Sequence, residues 1–157
     1  QMFNHGIITG GMFLLVGVLY ERTHTRDLAA FGGLSARLPV YAAMLICFSL
    51  ASLGLPGLSG FVGEFLSLVG AFGVWRWQTI VSVTGIVIAA AYMLKVIQQV
   101  LLGPLNERWR SIPDITPWEL ISVVPLLLIV VAVGVYPLVM LQLQEHAILQ
   151  LLLHVLG

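Results

Sequence analysis

The sequence Leu50-Ala-Ser-Leu-Gly-Leu-Pro-Gly-Leu-Ser-Gly-Phe-Val-Gly-Glu-Phe65 places a helix-breaking Leu55-Pro56-Gly57 and one acid, Glu64, inside an otherwise apolar segment. Proline lacks a backbone donor and clashes with the preceding turn, so we expect a helix to stop here and to resume after the glycine. In a membrane, the backbone groups freed at such a break must be buried in protein or line a wet cavity. An ionisable residue at that depth is costly, and it is therefore a candidate functional residue.

The composition of the whole chain indicates a membrane protein. Of the 157 residues, 59% are hydrophobic and 9% are charged, whereas soluble domains carry roughly 25% charged residues. The seven basic and seven acidic residues balance, and there is no basic run, which argues against a nucleic-acid partner. The single cysteine, Cys47, cannot form an internal disulfide or supply the ligands of an Fe–S cluster or zinc site. Because the chain starts with Gln1 and turns apolar almost at once, we expect a segment of a longer protein.

The hydrophobic runs and their interruptions predict an all-α membrane protein with about four transmembrane helices. The predicted spans are residues 1–20, 38–73 with a break at 54–57, 78–102 and 117–136, followed by a tail helix at 138–156. Residues 116–119 (Thr-Pro-Trp-Glu) have the capping-box pattern expected where the fourth span begins. The tail carries polar residues at every fourth position, namely Gln142, His146, Gln150 and His154. This spacing indicates an amphipathic helix at the membrane interface or against a partner.

The arginines between the spans predict the orientation of the chain. They fall into two loops, with Arg22, Arg26 and Arg37 in one and Arg108 and Arg110 in the other, and only Arg76 lies on the opposite side. By the positive-inside rule, residues 21–37 and 103–116 face the cytoplasm, and the C-terminus lies on the outer, periplasmic side.

Glu64 is the first candidate for ion handling. It precedes the interfacial Trp75 by about ten residues, which at a rise of about 1.5 Å per residue places it roughly 15 Å inside the membrane. Its helical neighbours Gly60 and Ser67 are small, and Gly70 continues the stripe, so we expect the carboxyl to face the helix bundle. The alternative is a structural acid that joins helices through a buried pair.

Two basic side chains complete the candidate set. Lys95, the only lysine, lies about 12 Å before the helix end at Gly103. It shares a face with Gln98 and Gln99, so a place on a polar track and snorkelling to the interface are both open. His5 stands near the start of the first helix, and imidazole titrates close to neutral pH. The alternative is a structural, hydrogen-bonded histidine.

Motifs of redox and metal chemistry are missing from the sequence. It contains no GxSxG, Walker, Rossmann or CxxC pattern and no metal-ligand spacing. We therefore expect redox centres and metals to belong to other chains.

Several stretches of the sequence resemble one known family. They are His5-Gly6, 18–22 (Val-Leu-Tyr-Glu-Arg), 24–27 (His-Thr-Arg-Asp), 32–34 (Gly-Gly-Leu), 53–57 (Leu-Gly-Leu-Pro-Gly) and 60–65 (Gly-Phe-Val-Gly-Glu-Phe). Together they resemble the antiporter-like, proton-pumping membrane subunits of respiratory complex I, most closely those of the subunit 4, or bacterial chain M, type. The resemblance covers nearly the whole chain to about residue 104 and is weaker through the last two helices.

This resemblance implies a fold and roles for the candidate residues. The family fold is a bundle of about fourteen transmembrane helices built from inverted repeats. This chain would be its C-terminal part, with the discontinuous helix of the second repeat at Leu55-Pro56-Gly57. The resemblance implies that Glu64 serves the outward half of a proton path, that His5 lies on a central hydrophilic axis, and that Lys95 is a further basic member.

The resemblance also implies a function and partners. The chain would belong to a non-redox, proton-translocating subunit of NADH:quinone oxidoreductase in the bacterial inner membrane, next to other antiporter-like subunits. NADH, FMN, Fe–S clusters and quinone would be bound by other subunits, so no cofactor is expected in this chain. The alternatives are a subunit of a multisubunit cation/proton antiporter or membrane-bound hydrogenase, which share the fold, and a non-transporting scaffold.

Overall fold

A computed structural model describes residues 1–156, apart from the side chains of His146 and Leu156. The regular elements are α1 (Met2–Thr23), α2 (Pro39–Ser52), α3 (Ser59–Phe72), α4 (Arg76–Leu101), α5 (Pro117–Val135) and α6 (Leu138–Leu156), with 3-10 turns at Leu28–Ala30, Leu34–Ala36 and Glu107–Trp109. Within these residues there is no strand. The all-α prediction is therefore confirmed.

The helix break lies between α2 and α3 and contains the predicted Leu55-Pro56-Gly57. Helix α2 is closed by backbone bonds typical of a helix end, including one of 3.1 Å from the N–H of Leu55 to the carbonyl of Leu50. Gly54 and Gly57 then take φ values of 71° and 94°, a region that residues with a Cβ rarely adopt. Between the two helices the N–H of Leu58 donates to the carbonyl of Leu55 at 3.1 Å, so Leu55-Pro56-Gly57-Leu58 forms a hydrogen-bonded turn with Gly57 at its left-handed position.

Helix α1 is central to the packing and contacts α2, α3 and α5. The ring of the fully buried Phe48 on α2 lies directly on Gly11 of α1, where a Cβ would overlap it. Three further glycines lie on this helix, Gly6, Gly10 and Gly17, and no described residue outside the helix lies within 4 Å of their would-be Cβ positions. These three face away from the described core.

The loops that follow α1 and α4 meet at one end of the bundle. The N–H of Gly33 donates to the carbonyl of Leu102 at 2.9 Å, and the indole N–H of Trp109 donates to the carbonyl of Ala30 at 2.8 Å. Residues 24–38 and 102–116 therefore lie on the same side, which we call the loop end of the bundle.

Arg22 ties three segments together at the loop end. Its guanidinium forms a bidentate pair with Glu119 at 2.8 and 2.7 Å, and it also donates to the carbonyls of Val18, Pro113 and Asp114. These five bonds use all five N–H donors of an arginine. Glu119 in turn completes the predicted capping box with Thr116 at the start of α5, so the helix cap and the ion pair share one carboxylate.

Asp114 caps α2 from a distant part of the chain. The residue at the N-cap position of this helix is Leu38, whose side chain has no acceptor. The carboxylate of Asp114 instead accepts hydrogen bonds from the N–H groups of Val40 at 2.9 Å and Tyr41 at 3.1 Å. A negative charge at this place also complements the positive end of the helix dipole.

Within residues 1–156, four helices are long and apolar enough to cross a membrane: α1, α4, α5 and the Leu138–Val155 part of α6. Helices α2 and α3 have 14 residues each, or about 21 Å, so each is too short alone for a hydrocarbon core of about 30 Å. They can cross it only as a pair.

Helix α6 forms over the predicted tail, Leu138–Leu156, and its Leu138–Val155 part is also long and apolar enough to be a span. Its regularly spaced polar residues are outnumbered by leucines, so an interfacial place for this helix stays a prediction. One residue of the predicted polar face, His146, has a side chain outside the described residues.

We predict that Arg22→Lys lowers the free energy of unfolding by about 2 kcal/mol or more, because lysine cannot reproduce the planar fork of charged hydrogen bonds. The measurement is tryptophan fluorescence of the full-length protein during titration with SDS. Arg110→Lys is the matched control: its pair with Glu107 is 3.3 Å long, with side chains 73% and 82% exposed, and should contribute less than about 0.5 kcal/mol. Equal effects of the two substitutions would contradict the role given to Arg22.

Candidate functional site

Glu64 lies in the second turn of α3 and points back toward the helix break. One carboxylate oxygen, Oε2, lies so close to Gly54 that a Cβ at that position would be 2.9 Å from it. The missing side chain at Gly54 therefore leaves the space that the carboxylate occupies. Through this contact, the acid on one half-helix touches the end of the other.

A pocket of about 330 Å³ opens beside Glu64, between the start of α1 and the facing sides of α3 and α4. Its lining includes the polar side chains Gln1, Ser67 and Ser82 and the small Gly85 and Ala89 of α4. Glu64 itself is half-buried. A carboxylate, an amide and two hydroxyls around a space of this size provide hydrogen-bonding partners for water molecules.

The alternative role for Glu64, a structural acid in a buried pair, requires a basic partner. The ion pairs formed within residues 1–156 join Arg22 to Glu119 and Arg110 to Glu107. Glu64 belongs to neither of them. Its carboxylate is therefore exposed to the pocket without a neutralising charge from the described residues.

Four close contacts hold the break and the start of α3. The amide of Asn4 on α1 donates to the carbonyl of Ser59 at 2.8 Å. A Cβ at Gly60 would overlap the carbonyl oxygen of Ala51 at the end of α2, and one at Gly134 of α5 would overlap the backbone of Gly57 and Leu58. On the next turn, a Cβ at Gly63 would likewise overlap Gln1 and the side chain of Asn4. Helix α5 therefore touches the irregular backbone, and α1 and α2 touch the first two turns of α3 directly after it.

Two hydroxyl groups near the break are buried without a partner. The Oγ atoms of Ser49, in the last turn of α2, and Ser59, the first residue of α3, have no hydrogen-bond partner within the described chain. Both residues are at least 98% buried. Hydrogen-bonding capacity is therefore left unused on both sides of the break.

The other two sequence-predicted residues, His5 and Lys95, do not line the Glu64 pocket. His5 is exposed in the first turn of α1, and its carbonyl accepts a hydrogen bond from the hydroxyl of Thr9. Lys95 is exposed on α4 and lines a separate depression of about 530 Å³ at the loop end, together with Gln98, Gln99 and residues 31–32. From Ala89, at the edge of the Glu64 pocket, Lys95 is six residues or about 9 Å further along the helix. The structure thus brings the helix break and Glu64 together, whereas neither His5 nor Lys95 lines the Glu64 pocket.

Sequence reasoning missed Asn4, Gly134 and the pairing of Arg22 with Glu119. A signal existed for Asn4, because an amide in an apolar helix is costly unless it is hydrogen-bonded. The other contacts join residues far apart in the chain and leave no local pattern. Among the described residues, no cluster of three His, Cys, Asp or Glu side chains could hold a metal ion.

Comparison with known proteins gives consistent matches. A family model described as NADH:quinone oxidoreductase/Mrp antiporter, transmembrane, matches residues 1–89. Proteins named NADH-quinone oxidoreductase subunit M from Rhodobacter capsulatus and Escherichia coli are 46% and 37% identical over 87% and 94% of this chain. A chain in the structure of respiratory complex I from Thermus thermophilus with bound NADH superposes with a TM-score of 0.80 at 36% identity over 85% of this chain.

The matched proteins are much longer than this chain. It spans 27% of the Rhodobacter capsulatus protein, 30% of the Escherichia coli protein and 28% of the Thermus thermophilus chain.

We predict that Gly60→Ala destabilises the protein by about 1–3 kcal/mol, because the new methyl group meets a backbone carbonyl that cannot move aside. Gly70→Ala, two to three turns later on α3, is the matched control, since no described residue lies within 4 Å of its Cβ position. Alanine is also the better helix former, so this control should be neutral or slightly stabilising. Thermal unfolding of the full-length protein in detergent compares the two, and an equal loss in both would contradict the close contact at Gly60.

Proposed function

Because the chain belongs to the NADH:quinone oxidoreductase/Mrp antiporter transmembrane family, we propose that it is part of a proton-translocating membrane subunit of NADH:quinone oxidoreductase. The subunit would couple quinone reduction elsewhere in the complex to proton transport. The names of its relatives and their 37–46% identity over most of this chain support this proposal. The observation that carries it is the position of Glu64, an acid without a basic partner in the described chain, between a helix break and a polar pocket.

A carboxylate in this place can serve as a proton-loading group. In hydrocarbon an ion is costly, and the interaction of two charges grows as the local dielectric constant falls. The proton occupancy of Glu64 would therefore respond to charges that appear on neighbouring subunits. Protons would leave to the outer side from Glu64 when those charges change.

The helix break gives Glu64 a polar neighbourhood without another charge. Leu55, Pro56 and Gly57 interrupt the backbone hydrogen bonds, and irregular backbone at membrane depth is tolerated where it is buried in protein or lines a cavity. Here Gly134 of α5 packs against Gly57 and Leu58, and Gly54 lies beside the carboxylate of Glu64. Leu55, Pro56 and Gly57 are exposed in this chain, so the remaining segments of the full-length protein would cover them or line a cavity there. This arrangement supports a role of the break in conducting protons past the midplane.

His5 and Lys95 are the proposed inward members of the path. Lys95 lies at the loop end with two glutamines, where protons would enter from the cytoplasm, and His5 lies on α1 one turn after the pocket residue Gln1. Water would connect these groups to Glu64, because neither His5 nor Lys95 lines its pocket. Other segments of the full-length protein would complete the path.

The subunit would be a non-redox part of the enzyme. NADH, FMN, Fe–S clusters and quinone would be bound by other subunits, and neighbouring antiporter-like subunits and lipid would cover the apolar surfaces of α4 and α6. We propose the bacterial inner membrane as its location, with the loop end in the cytoplasm and the C-terminus outside.

A second candidate function is a subunit of a cation/proton antiporter, because the matched family description also names Mrp antiporters. A membrane-bound hydrogenase would follow from the same fold. Transport that depends on sodium, or loss of proton pumping without loss of sodium transport, would favour the antiporter.

We predict that Glu64→Gln in the full-length protein removes proton pumping by the assembled complex and slows NADH:quinone electron transfer, because the two are coupled. Inverted membrane vesicles with a pH-sensitive dye measure the first, and absorbance of NADH measures the second. Glu107→Gln is the matched control, since Glu107 is 82% exposed at the loop end. Normal pumping in an assembled Glu64→Gln complex would make Glu64 a structural acid and would favour the scaffold alternative.

We predict the orientation from the loop arginines. A cysteine replacing Ala29 should react with a membrane-impermeant maleimide in inverted vesicles, and one replacing Val74, which is 78% exposed, should react in right-side-out cells. Labelling in a background without other reactive cysteines, followed by gel shift, tests both. The opposite pattern would reverse the topology and with it the direction of transport.

A further inference from the structure

Asn4 forms a buried hydrogen bond between helices that are distant in sequence. Asn4 is 7% exposed, and its Nδ2 atom donates to the carbonyl oxygen of Ser59 at 2.8 Å, 55 residues further along the chain. Ser59 is the first residue of α3. The side-chain amide of Asn4 on α1 therefore contacts the first residue of α3, the half-helix that carries Glu64.

The bond is not needed to satisfy the carbonyl of Ser59. In a regular α-helix this carbonyl accepts the N–H of the residue four positions later, Gly63. A carbonyl oxygen has two lone pairs, so the amide of Asn4 adds a second donor to a group that already has one. What the bond contributes is the relative position of α1 and α3.

The contact is also too tight to tolerate a shift. At Gly63 a Cβ would lie 2.9 Å from Nδ2 of Asn4, so no side chain separates the two helices there. Glu64 follows directly in the chain, and its carboxylate fits into the space left by Gly54. A small rotation or translation of α3 would move that carboxylate out of contact with the break.

We propose that Asn4 is a positioning residue for Glu64: its hydrogen bond to Ser59 fixes the start of α3 and thereby directs the carboxylate of Glu64 at the helix break. This inference rests on the proposed function in one respect, since it assigns Asn4 to proton transport only through Glu64. Its geometric part concerns the carboxylate alone and can be tested without pumping.

The test replaces Asn4 in the full-length protein within the assembled complex. Asn4→Leu keeps a similar volume and removes the donor. Asn106→Leu is the matched control, because the amide of Asn106 also donates to a distant carbonyl, that of Ala30 at 3.0 Å, but at the loop end. The first readout is the rate at which dicyclohexylcarbodiimide modifies Glu64, measured by mass spectrometry of the peptide. The second is the dependence of pumping on pH.

We expect Asn4→Leu to change the labelling rate of Glu64 by about fivefold, the scale of one lost hydrogen bond, and to displace the pH profile of pumping. Asn106→Leu should leave both unchanged. Wild-type labelling and an unchanged pH profile in Asn4→Leu would overturn the inference, and so would equal changes in the two variants.

A second variant covers a failure of Asn4→Leu to assemble. Asn4→Ser is smaller and polar, and its hydroxyl is too short to reach the carbonyl of Ser59, so it should change the labelling rate in the same direction. Wild-type labelling in Asn4→Ser would then overturn the inference. If labelling changes in these variants while Glu64→Gln pumps normally, the positioning role stands and the proposed function of Glu64 fails.

Discussion

The need to satisfy polar backbone inside an apolar protein governs this structure. Where Pro56 stops α2, backbone groups lose their helical partners at a depth where water is scarce. The chain meets this constraint in part with its own backbone, because the N–H of Leu55 bonds to the carbonyl of Leu50 and the N–H of Leu58 to the carbonyl of Leu55, while Leu55, Pro56 and Gly57 stay exposed. Asn4 fixes the start of α3 from α1, and glycines at 60 and 134 let neighbouring backbones approach closely. The candidate acid, Glu64, lies within the same arrangement because Gly54 leaves room for its carboxylate.

The two ends of the bundle are held by different kinds of interaction. At the loop end, charged groups are paired and share partners: Arg22 uses every donor that it has, and Asp114 caps a helix whose own N-cap residue cannot. At the break, contacts are neutral, close and mostly between backbones. Paired charges therefore hold the loop end, whereas neutral contacts between closely packed backbones hold the break.

Local signals predicted much of this arrangement. The break at Leu55-Pro56-Gly57 and the capping box at the start of α5 follow from residues within a few positions of each other, and the structure confirms both. The contacts of Arg22 and Asn4 were not predictable, because their partners lie 97 and 55 residues away. The sequence pattern does not determine whether α6 lies at the membrane interface or crosses the membrane. Its regularly spaced polar residues indicate the interface, whereas its high leucine content indicates a span. How His5 and Lys95 lie relative to Glu64 depends on tertiary packing, which spacing along the chain does not determine.

All hydrogen-bond donors of Arg22 are used within the folded protein, so its positive charge acts differently during membrane insertion and after folding. During insertion, basic residues near the ends of a span orient it, and acidic residues count for little. In the folded protein the guanidinium of Arg22 is neutralised by Glu119 and is only 11% exposed. The residue can therefore help to set topology while the chain is being inserted, yet offer almost nothing to lipid phosphates afterwards. The electrostatic surface at the loop end is thus less positive than the arginine count suggests.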